Sequence, residues 1–370
     1  MGLRRTPLYD AHCRAGGKLV EFNGWEMPVQ YAAGILREHE AVRTVAGIFD
    51  VSHMARFEVR GPGSLPFVDR LITNDLGKLE VGRMLYTPMC AESGGVLDDV
   101  TVYRMSDRIL VVVNAGNRER IWPWLETQRA AWNGAAVELV DRSADLAQIA
   151  LQGPRAQELL RPHCDGDLDQ IGYYAWARLR LFGHDEVLIS RNGYTGEDGF
   201  EIYPPAAAVD AAWASLLATG GPAGLLPAGL GCRDTLRLEM AYCLYGNELD
   251  LETTPLEARL AWTVKLKKDA FVGRAALEAQ KAAGLKRALV GLSVTGQRLP
   301  RKGQSLAHAG ATVGVVASGG FSPSLKAGIA LGFVPTELSR PGTKLEVDVR
   351  GERVAVEVTE VPFYKHASHR

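Results

Sequence analysis

The sequence contains GGVLDD at 94–99 and GYTGEDGFE at 193–201, two glycine-rich, acidic loops at the mouths of apolar strands. Glycine has no Cβ atom, so the backbone of such a loop can approach a ligand closely. We therefore expect the chemistry of this protein at these two loops, and the elements around them indicate the fold.

The same order of elements occurs around each loop. A strand, a Gly-Pro pair and an amphipathic helix lie at 57–71 and again at 149–160. Each time, a loop-rich stretch, one of the two acidic loops, a strand and a helix follow. Strands also adjoin one another, as in the hairpin predicted at 101–113, which favours antiparallel sheets. The order predicts two related α+β halves.

The last part of the chain has a different pattern. Beyond Arg287 only strand signals remain. Apolar residues alternate with charged ones at 345–349, a turn is expected near Arg350-Gly351, and the alternation returns at 354–358. This pattern predicts a compact C-terminal β-barrel of about 80 residues.

Composition limits the classes of protein that fit. The 370 residues are 46% hydrophobic and 23% charged, enough for a large core in two or three units. The formal net charge of −1 gives no overall field that favours nucleic acid or an anionic membrane. No apolar run approaches the length of about 20 residues that a spanning helix needs. Five scattered cysteines lack zinc-ligand spacing. We expect a cytoplasmic protein without a metal, a nucleic-acid partner or a membrane.

Several common enzyme motifs are missing from the sequence. It has no Gly-x-x-x-x-Gly-Lys-Ser/Thr loop, no Gly-x-Gly-x-x-Gly after a first strand, no His-Glu-x-x-His and no Gly-x-Ser-x-Gly. Nucleotide hydrolysis, nicotinamide chemistry and zinc proteolysis therefore lack their usual sequence signals.

Four charged positions are candidate site residues. Asp98 and Asp99 open a strand, so their side chains should point to opposite faces, one to solvent or a sheet edge and one inward. Only one of them can then serve a given site. The alternative to a site role is that the pair only marks a turn and the start of a strand. Glu201 lies on the equivalent strand of the second half, with a solvent-facing carboxylate as the alternative. Arg233 is placed near a helix start, with a salt-bridged arginine beside Asp234 as the alternative.

A histidine and a group of aromatic residues remain open from the residues alone. His53 is a candidate base, but a hydrogen-bonded structural histidine beside a strand is the favoured interpretation, so it is not assigned. Each aromatic residue between the carboxylates is either a core residue or a ligand contact. These residues are Tyr86, Tyr103, Tyr173, Tyr174, Trp176 and Tyr194.

The motifs taken together resemble a known family. In order along the chain they are FNGWEMP at 22–28, FDVSHM at 49–54, the loop ending in Asp98-Asp99, the loop at 193–201, residues 227–239, and YCLYG at 242–246. They resemble the aminomethyltransferases, or T-proteins, of the glycine cleavage system. The resemblance runs from Thr6 to about Tyr364, essentially the whole chain.

The resemblance implies a fold and a reaction. The implied fold is α+β, with three domains in a cloverleaf around a central folate channel. Two related domains with antiparallel sheets would lie within 6–265, and a β-barrel domain at 285–365. The implied reaction takes the aminomethyl group from the dihydrolipoyl arm of the H-protein, releases ammonia and gives 5,10-methylenetetrahydrofolate. The implied partners are the lipoylated H-protein and tetrahydrofolate, in the cytoplasm or, for a eukaryotic protein, the mitochondrial matrix.

The resemblance also implies roles for individual residues. Glu201 matches the glutamate that accepts the N–H donors of the pterin edge, a charge-assisted bidentate arrangement. Arg233 matches its partner arginine, which either reaches a ligand oxygen or orients that carboxylate. Asp99 matches the catalytic aspartate near the folate nitrogens that receive the carbon. The further residues implied to line the channel are Tyr86, Tyr103, Asn114, Tyr174 and Tyr194.

Alternatives remain at this point. A folate-dependent demethylase of the same fold would have a similar folate site and a different donor pocket. A non-catalytic folate-binding protein is the second alternative, although such relatives depart from the pattern at the carboxylates. The basic C-terminal segment from Tyr364 to Arg370 is a candidate for binding the anionic folate tail, or is a frayed end.

Overall fold

The computed structural model describes residues 2–369. The N-terminal elements are α1 (Tyr9–Arg14), β1 (Lys18–Phe22), β2 (Trp25–Gln30), α2 (Ile35–Thr44) and β3 (Gly47–Asp50). The next group is β4 (Ala55–Arg60), α3 (Ser64–Leu71), β5 (Met84–Cys90), β6 (Val96–Arg104), β7 (Arg108–Val113), α4 (Arg118–Ala130) and β8 (Glu138–Asp141).

The second half of the chain continues in the same manner. It contains β9 (Ile149–Gln152), α5 (Ala156–Leu160), β10 (Cys164–Asp165), β11 (Trp176–Leu181), β12 (His184–Arg191), β13 (Gly199–Tyr203), α6 (Val209–Gly220), β14 (Leu226–Pro227) and α7 (Leu230–Glu239). The last group is α8 (Arg274–Ala283), β15 (Arg287–Val294), β16 (Ser305–His308), β17 (Ala311–Ser322), β18 (Ala327–Pro335), β19 (Lys344–Val349) and β20 (Glu352–Thr359).

The first sheet has five antiparallel strands in the order β5-β6-β7-β4-β8. The predicted hairpin is confirmed, since β6 and β7 pair through Thr101 with Val112 and Tyr103 with Leu110. An apolar core forms where α3 and α4 cover this sheet, and it includes Phe57, Phe67 and Ile121. The sheet positions the start of β6, where the first acidic loop ends.

The second sheet has seven strands in the order β10-β11-β12-β13-β9-β3-β14. Its strands pair antiparallel except for β14, which runs parallel to β3. The chain therefore inserts β3, from the N-terminal elements, into the sheet of the second half. All five residues of β13 are buried because it lies between β12 and β9.

The two acidic loops are not equivalent in the fold, which corrects the expectation for Glu201. Asp99 lies on β6, which pairs with β5 and β7. Glu201 lies on β13, which is the direct neighbour of β9, just as β7 is the neighbour of β4. Because β4 and β9 are the strands before the two Gly-Pro turns, β13 corresponds to β7 and not to β6. The repeat is real, but the acidic loops connect different pairs of strands.

The C-terminal strands close a barrel in the order β15-β18-β17-β16-β19-β20. In β19 and β20 buried residues alternate with less buried ones, so the predicted hairpin is confirmed. Its turn has positive φ at both Arg350 (57°) and Gly351 (83°), the backbone that a two-residue hairpin turn requires. The predicted fold class, two mixed α/β units and a terminal barrel, is confirmed.

A glycine in the first loop is required by the protein's own packing. A Cβ atom on Gly95 would lie 1.8 Å from the backbone oxygen of Leu251. That carbonyl belongs to the long connection between α7 and α8. The close approach at Gly95 is therefore to another chain segment, not to a ligand as the sequence suggested.

Candidate functional site

A cavity of about 580 Å³ lies where the two sheets, the connection after α7 and the segment that follows the last barrel strand meet. Both acidic loops contribute to it, through Asp99 and through Gly193 and Tyr194. The predicted site residues that line it are Tyr86, Asp99, Asn114, Tyr174, Tyr194, Glu201 and Arg233. The fold thus brings together residues that are up to 147 positions apart in the sequence, from Tyr86 to Arg233.

Asp99 faces the cavity from β6 and is held by two neutral donors. The Tyr86 hydroxyl donates to Asp99 Oδ2 at 2.9 Å, and Asn114 Nδ2 donates to Asp99 Oδ1 at 2.9 Å. Tyr86 comes from β5 and Asn114 follows the end of β7, so the strands on both sides of β6 contribute. The carboxylate is fixed in place at the wall of the cavity.

Asp98 lies on the opposite face of β6, and its side chain has no exposed surface. This corrects the expectation that the other aspartate faces solvent or a sheet edge. Its Oδ1 accepts from Asn114 Nδ2 at 2.8 Å and from Asn117 Nδ2 at 2.6 Å. Its Oδ2 accepts from the backbone N–H of Asn114 at 3.0 Å. The residues after β7 are built around this carboxylate.

The environment makes both aspartates weaker acids in the folded protein. Burial raises the pKa of Asp98, although three N–H donors oppose that shift. Burial also raises the pKa of Asp99 well above its usual value, and the nearby charge of Asp98 raises it further. Asp99 is therefore far easier to protonate than an exposed aspartate.

Glu201 presents one oxygen to the protein and keeps the other free of protein partners. Oε2 accepts from Gln148 Nε2 and from the Tyr203 hydroxyl, both at 3.0 Å. Among residues 2–369, Oε1 accepts no hydrogen bond. The residue is only 8% exposed, so the alternative of a solvent-facing strand carboxylate is wrong.

Arg233 lies in the first turn of α7 and points to the same cavity. Its guanidinium lies over the ring of Tyr194, 4.6 Å from the ring centre. The alternative of a salt bridge to the adjacent aspartate is wrong, because Asp234 accepts instead from Arg237 Nε at 2.8 Å. In the part of the chain that the structure describes, Arg233 has no carboxylate partner, and burial lowers its pKa.

Aromatic residues form much of the cavity wall. Tyr194 stacks on Tyr242, with ring centres 5.8 Å apart, and its hydroxyl donates to the backbone oxygen of Cys243. Tyr86 stacks on Trp262, with ring centres 6.1 Å apart, and Trp262 is 58% exposed. The wall is thus apolar and flat near Tyr194, and open to solvent near Trp262.

Tyr103 does not line the cavity, which corrects the expectation for this residue. It is fully buried between the two sheets. Its hydroxyl lies 2.7 Å from the Tyr203 hydroxyl and 3.1 Å from Ser190 Oγ. Tyr203 in turn donates to Glu201, so Tyr103 supports the cavity from behind.

Sequence reasoning missed three residues that complete the site. Gln148 holds Glu201, and Trp262 forms the exposed edge of the cavity. Neither belongs to a motif that indicated the site. Tyr242 does lie in the YCLYG motif at 242–246, which could have indicated it.

His53 is buried next to the site but does not line the cavity. Burial lowers its pKa to about 4, so the imidazole is neutral at physiological pH. Its Nδ1 has no hydrogen-bond partner among the described residues. The alternative of a hydrogen-bonded structural histidine is therefore not supported for that nitrogen.

The C-terminal segment returns to the second acidic loop. Ser368 Oγ accepts from the backbone N–H of Asp198 at 3.0 Å, and the Ser368 N–H donates to Glu197 Oε2 at 3.2 Å. The N–H of His369 donates to the backbone oxygen of Gly196 at 3.2 Å. Ser368 and His369 thus hold the end of the segment to the loop, which corrects the alternative of a frayed end, although Lys365 and His366 are exposed. Arg370 lies outside the described residues.

Comparison with known proteins identifies the family. The GCVT N-terminal domain matches residues 8–268, and the glycine cleavage T-protein C-terminal barrel domain matches residues 287–365. The chain belongs to the glycine cleavage T-protein family. Together the two matches span both sheets and the barrel.

Individual T-protein relatives match over the full length. An aminomethyltransferase from Symbiobacterium thermophilum is 48% identical over 100% of this chain and 99% of its own length. One from Moorella thermoacetica is 48% identical over 98% of both chains. The crystal structure of glycine cleavage system aminomethyltransferase T from Bartonella henselae covers 100% of both chains, with 34% identity and a TM-score of 0.93. This T-protein is therefore an enzyme, an aminomethyltransferase of the glycine cleavage system.

Two features are absent from residues 2–369. No helix there is long and apolar enough to cross a membrane. No group of three or more His, Cys, Asp or Glu side chains there is arranged to hold a metal ion.

Proposed function

We propose that this T-protein transfers the methylene carbon of an aminomethyl group, carried on the dihydrolipoyl arm of the H-protein, to tetrahydrofolate. The products are 5,10-methylenetetrahydrofolate, ammonia and the dihydrolipoyl H-protein. The observation that carries this proposal is one cavity with three different polar groups: the free oxygen of Glu201, the unpaired guanidinium of Arg233 and the weakly acidic Asp99. Family membership supplies the reaction type, and the cavity supplies the groups that it needs.

The cavity fits a folate in size and in chemistry. Its volume of about 580 Å³ lies within the usual range for small-molecule sites. Glu201 would accept the adjacent N–H donors of the amino-pyrimidinone edge, since a carboxylate accepts two parallel hydrogen bonds. Arg233 would bind a ligand oxygen, because nothing in the described chain pairs with it. Tyr174 and Tyr194 offer flat apolar surface to the ring system.

Asp99 is the proposed catalytic residue. Tetrahydrofolate supplies the nitrogens that accept the carbon. When ionised, Asp99 places a negative charge in a buried wall, where it stabilises positive charge that develops at the transferred carbon. Because its pKa is raised, Asp99 also takes up a proton more readily than an exposed aspartate does. Tyr86 and Asn114 keep the carboxylate oriented for both tasks.

The donor arm would enter on the side of Trp262. This residue is exposed at the rim and stacks on Tyr86, which itself holds Asp99. Arg259 and Leu260, which precede Trp262 closely in the chain, also line the cavity. The lipoylated H-protein would therefore meet the surface around Trp262. The division into a folate-binding region at 6–265 and a barrel domain at 285–365 is part of the same proposal.

The test separates binding from turnover with an isosteric change. Asp99→Asn should retain affinity for tetrahydrofolate and lose most turnover, because the cavity keeps its shape and loses its charge. Asp185→Asn is the matched control, since Asp185 is exposed at the β11-β12 turn, away from the cavity. Turnover of Asp99→Asn equal to that of Asp185→Asn would remove Asp99 from the mechanism.

A further inference from the structure

We infer that Asp98 is a positioning residue for this site: through Asn114 it orients Asp99 and holds a second negative charge behind it. The two aspartates then work as a linked carboxylate pair, of which only Asp99 contacts substrate. This inference rests on the proposed catalytic role of Asp99.

The link between the two carboxylates is the side-chain amide of Asn114. Its Nδ2 lies 2.8 Å from Asp98 Oδ1, 2.9 Å from Asp99 Oδ1 and 2.9 Å from the backbone oxygen of Asp99. A primary amide has two N–H groups, so three oxygens share two donors. Asp98 also accepts the backbone N–H of Asn114. Asp98 thus accepts two hydrogen bonds from Asn114, one from its backbone and one from the side-chain amide that also donates to Asp99.

These hydrogen bonds to Asp98 determine which end of the Asn114 amide faces Asp99. With Asp98 in place, the amide nitrogen faces all three oxygens. Without an acceptor at Asp98 Oδ1, the amide could rotate and present its own oxygen to Asp99, and two acceptors would then face each other. Asp98 therefore secures the donor that Asp99 needs when it is ionised.

Asp98 also has no cation to neutralise it. Within residues 2–369, no Lys, Arg or His nitrogen lies within 4.0 Å of its carboxylate, and its three donors are all neutral amides. Its charge therefore acts on its neighbour across a buried interior, where charge–charge interactions are strong. Its nearest ionisable neighbour along the strand is Asp99.

Four neighbouring titratable groups carry no negative charge near pH 7. From β5, the second acidic loop and the connection after α7 come Tyr86, Tyr194, Cys243 and Tyr245. Burial raises the pKa of each of these four groups, so all remain neutral. The charged groups that line the same cavity are the cations Arg233 and Arg259 and the carboxylate Glu201 on β13. Asp98, whose own pKa burial raises to about 7, is the adjacent carboxylate on β6 whose charge, when it is ionised, opposes ionisation of Asp99.

The pH dependence of catalysis should reveal this coupling. The pH profile of kcat/KM reports ionisation in the free enzyme. Asp98→Asn removes the charge that opposes ionisation of Asp99, so the acid limb of the profile should move to lower pH by about one unit or more. Asn114→Ala leaves both charges and removes a donor from each carboxylate, so the acid limb should move to higher pH.

Shifts of opposite sign in the two variants would support the inference, because a merely structural role lowers activity without this pattern. An acid limb that stays in place or moves upward in Asp98→Asn would overturn it. If Asp98→Asn does not fold, an acid limb in Asn114→Ala that stays in place or moves downward would overturn it instead. Failure of the proposed function differs from both: the unaltered protein would then form no 5,10-methylenetetrahydrofolate, or Asp99→Asn would remain fully active.

Discussion

The change Glu201→Gln tests the assignment of the folate-binding end of the cavity. The carboxylate Oε2 is already committed to Gln148 and Tyr203, so the carbonyl oxygen of a glutamine would take that place. The NH2 group would then occupy the position of Oε1 and face the N–H donors of the pterin edge. The side chain keeps its size, while its acceptor becomes a donor.

The magnitude follows from the bond that would be lost. A hydrogen bond to a charged group contributes about 1.5–3 kcal/mol, and the one accepted at the Oε1 position is lost, so binding should weaken by at least about 1.5 kcal/mol. This corresponds to at least roughly a 10-fold increase in the Kd of tetrahydrofolate. Turnover at saturating folate should fall much less, because Asp99 and its donors on β5 and after β7 are untouched.

Equilibrium titration of tetrahydrofolate into the purified variants measures this effect. Glu357→Gln is the matched control, because Glu357 is an exposed strand glutamate on the barrel. It should bind folate like the unaltered protein, and both variants should have similar melting temperatures. A Kd for Glu201→Gln within about threefold of the control would refute the reasoning, since that difference is below 1 kcal/mol.

Three further predictions concern catalysis and stability. Tyr86→Phe removes a donor from Asp99 and should lower kcat by about tenfold with little change in folate affinity; unchanged steady-state kinetics would exclude that donor from catalysis. Gly95→Ala forces a Cβ against the Leu251 carbonyl and should lower the free energy of unfolding by about 2–3 kcal/mol in denaturant titration, whereas Gly221→Ala, where a Cβ meets nothing within 4 Å, should change it by less than about 0.5 kcal/mol. Burial opposes the ionisation of Glu239, but His39, Ser322 and Arg43 lower its pKa to about 2. Its contribution to the free energy of unfolding should therefore be complete above about pH 4.5 and lost toward pH 2. If the Glu239→Gln variant lost as much stability over this pH range as the unaltered protein does, the prediction would be contradicted.

The local patterns in the sequence predicted the hairpins well. Alternation of apolar and charged residues at 345–358 is a short-range signal, since successive side chains of a strand point to opposite faces. The closed barrel follows from several such hairpins. The pattern does not tell which strands become neighbours across long distances, so the insertion of β3 into the second sheet was not predicted.

The candidate site was predicted in part for the same reason. Resemblance to the family indicated Asp99, Glu201 and Arg233, and all three line one cavity. Tyr103 was misplaced because the sequence does not show how far along β6 the cavity extends before the strand packs against the second sheet. The depth of Asp98 was also missed, because an Asp-Asp pair after two glycines usually indicates a turn with an exposed carboxylate.

The central claim is the coupling of ammonia release to carbon transfer onto folate. The most direct measurement follows ammonia release from aminomethylated H-protein, with and without tetrahydrofolate, while 5,10-methylenetetrahydrofolate is quantified. The account predicts release that depends on folate, with one ammonia for each methylenetetrahydrofolate formed. Tight folate binding without turnover, or ammonia release that is independent of folate, would contradict it.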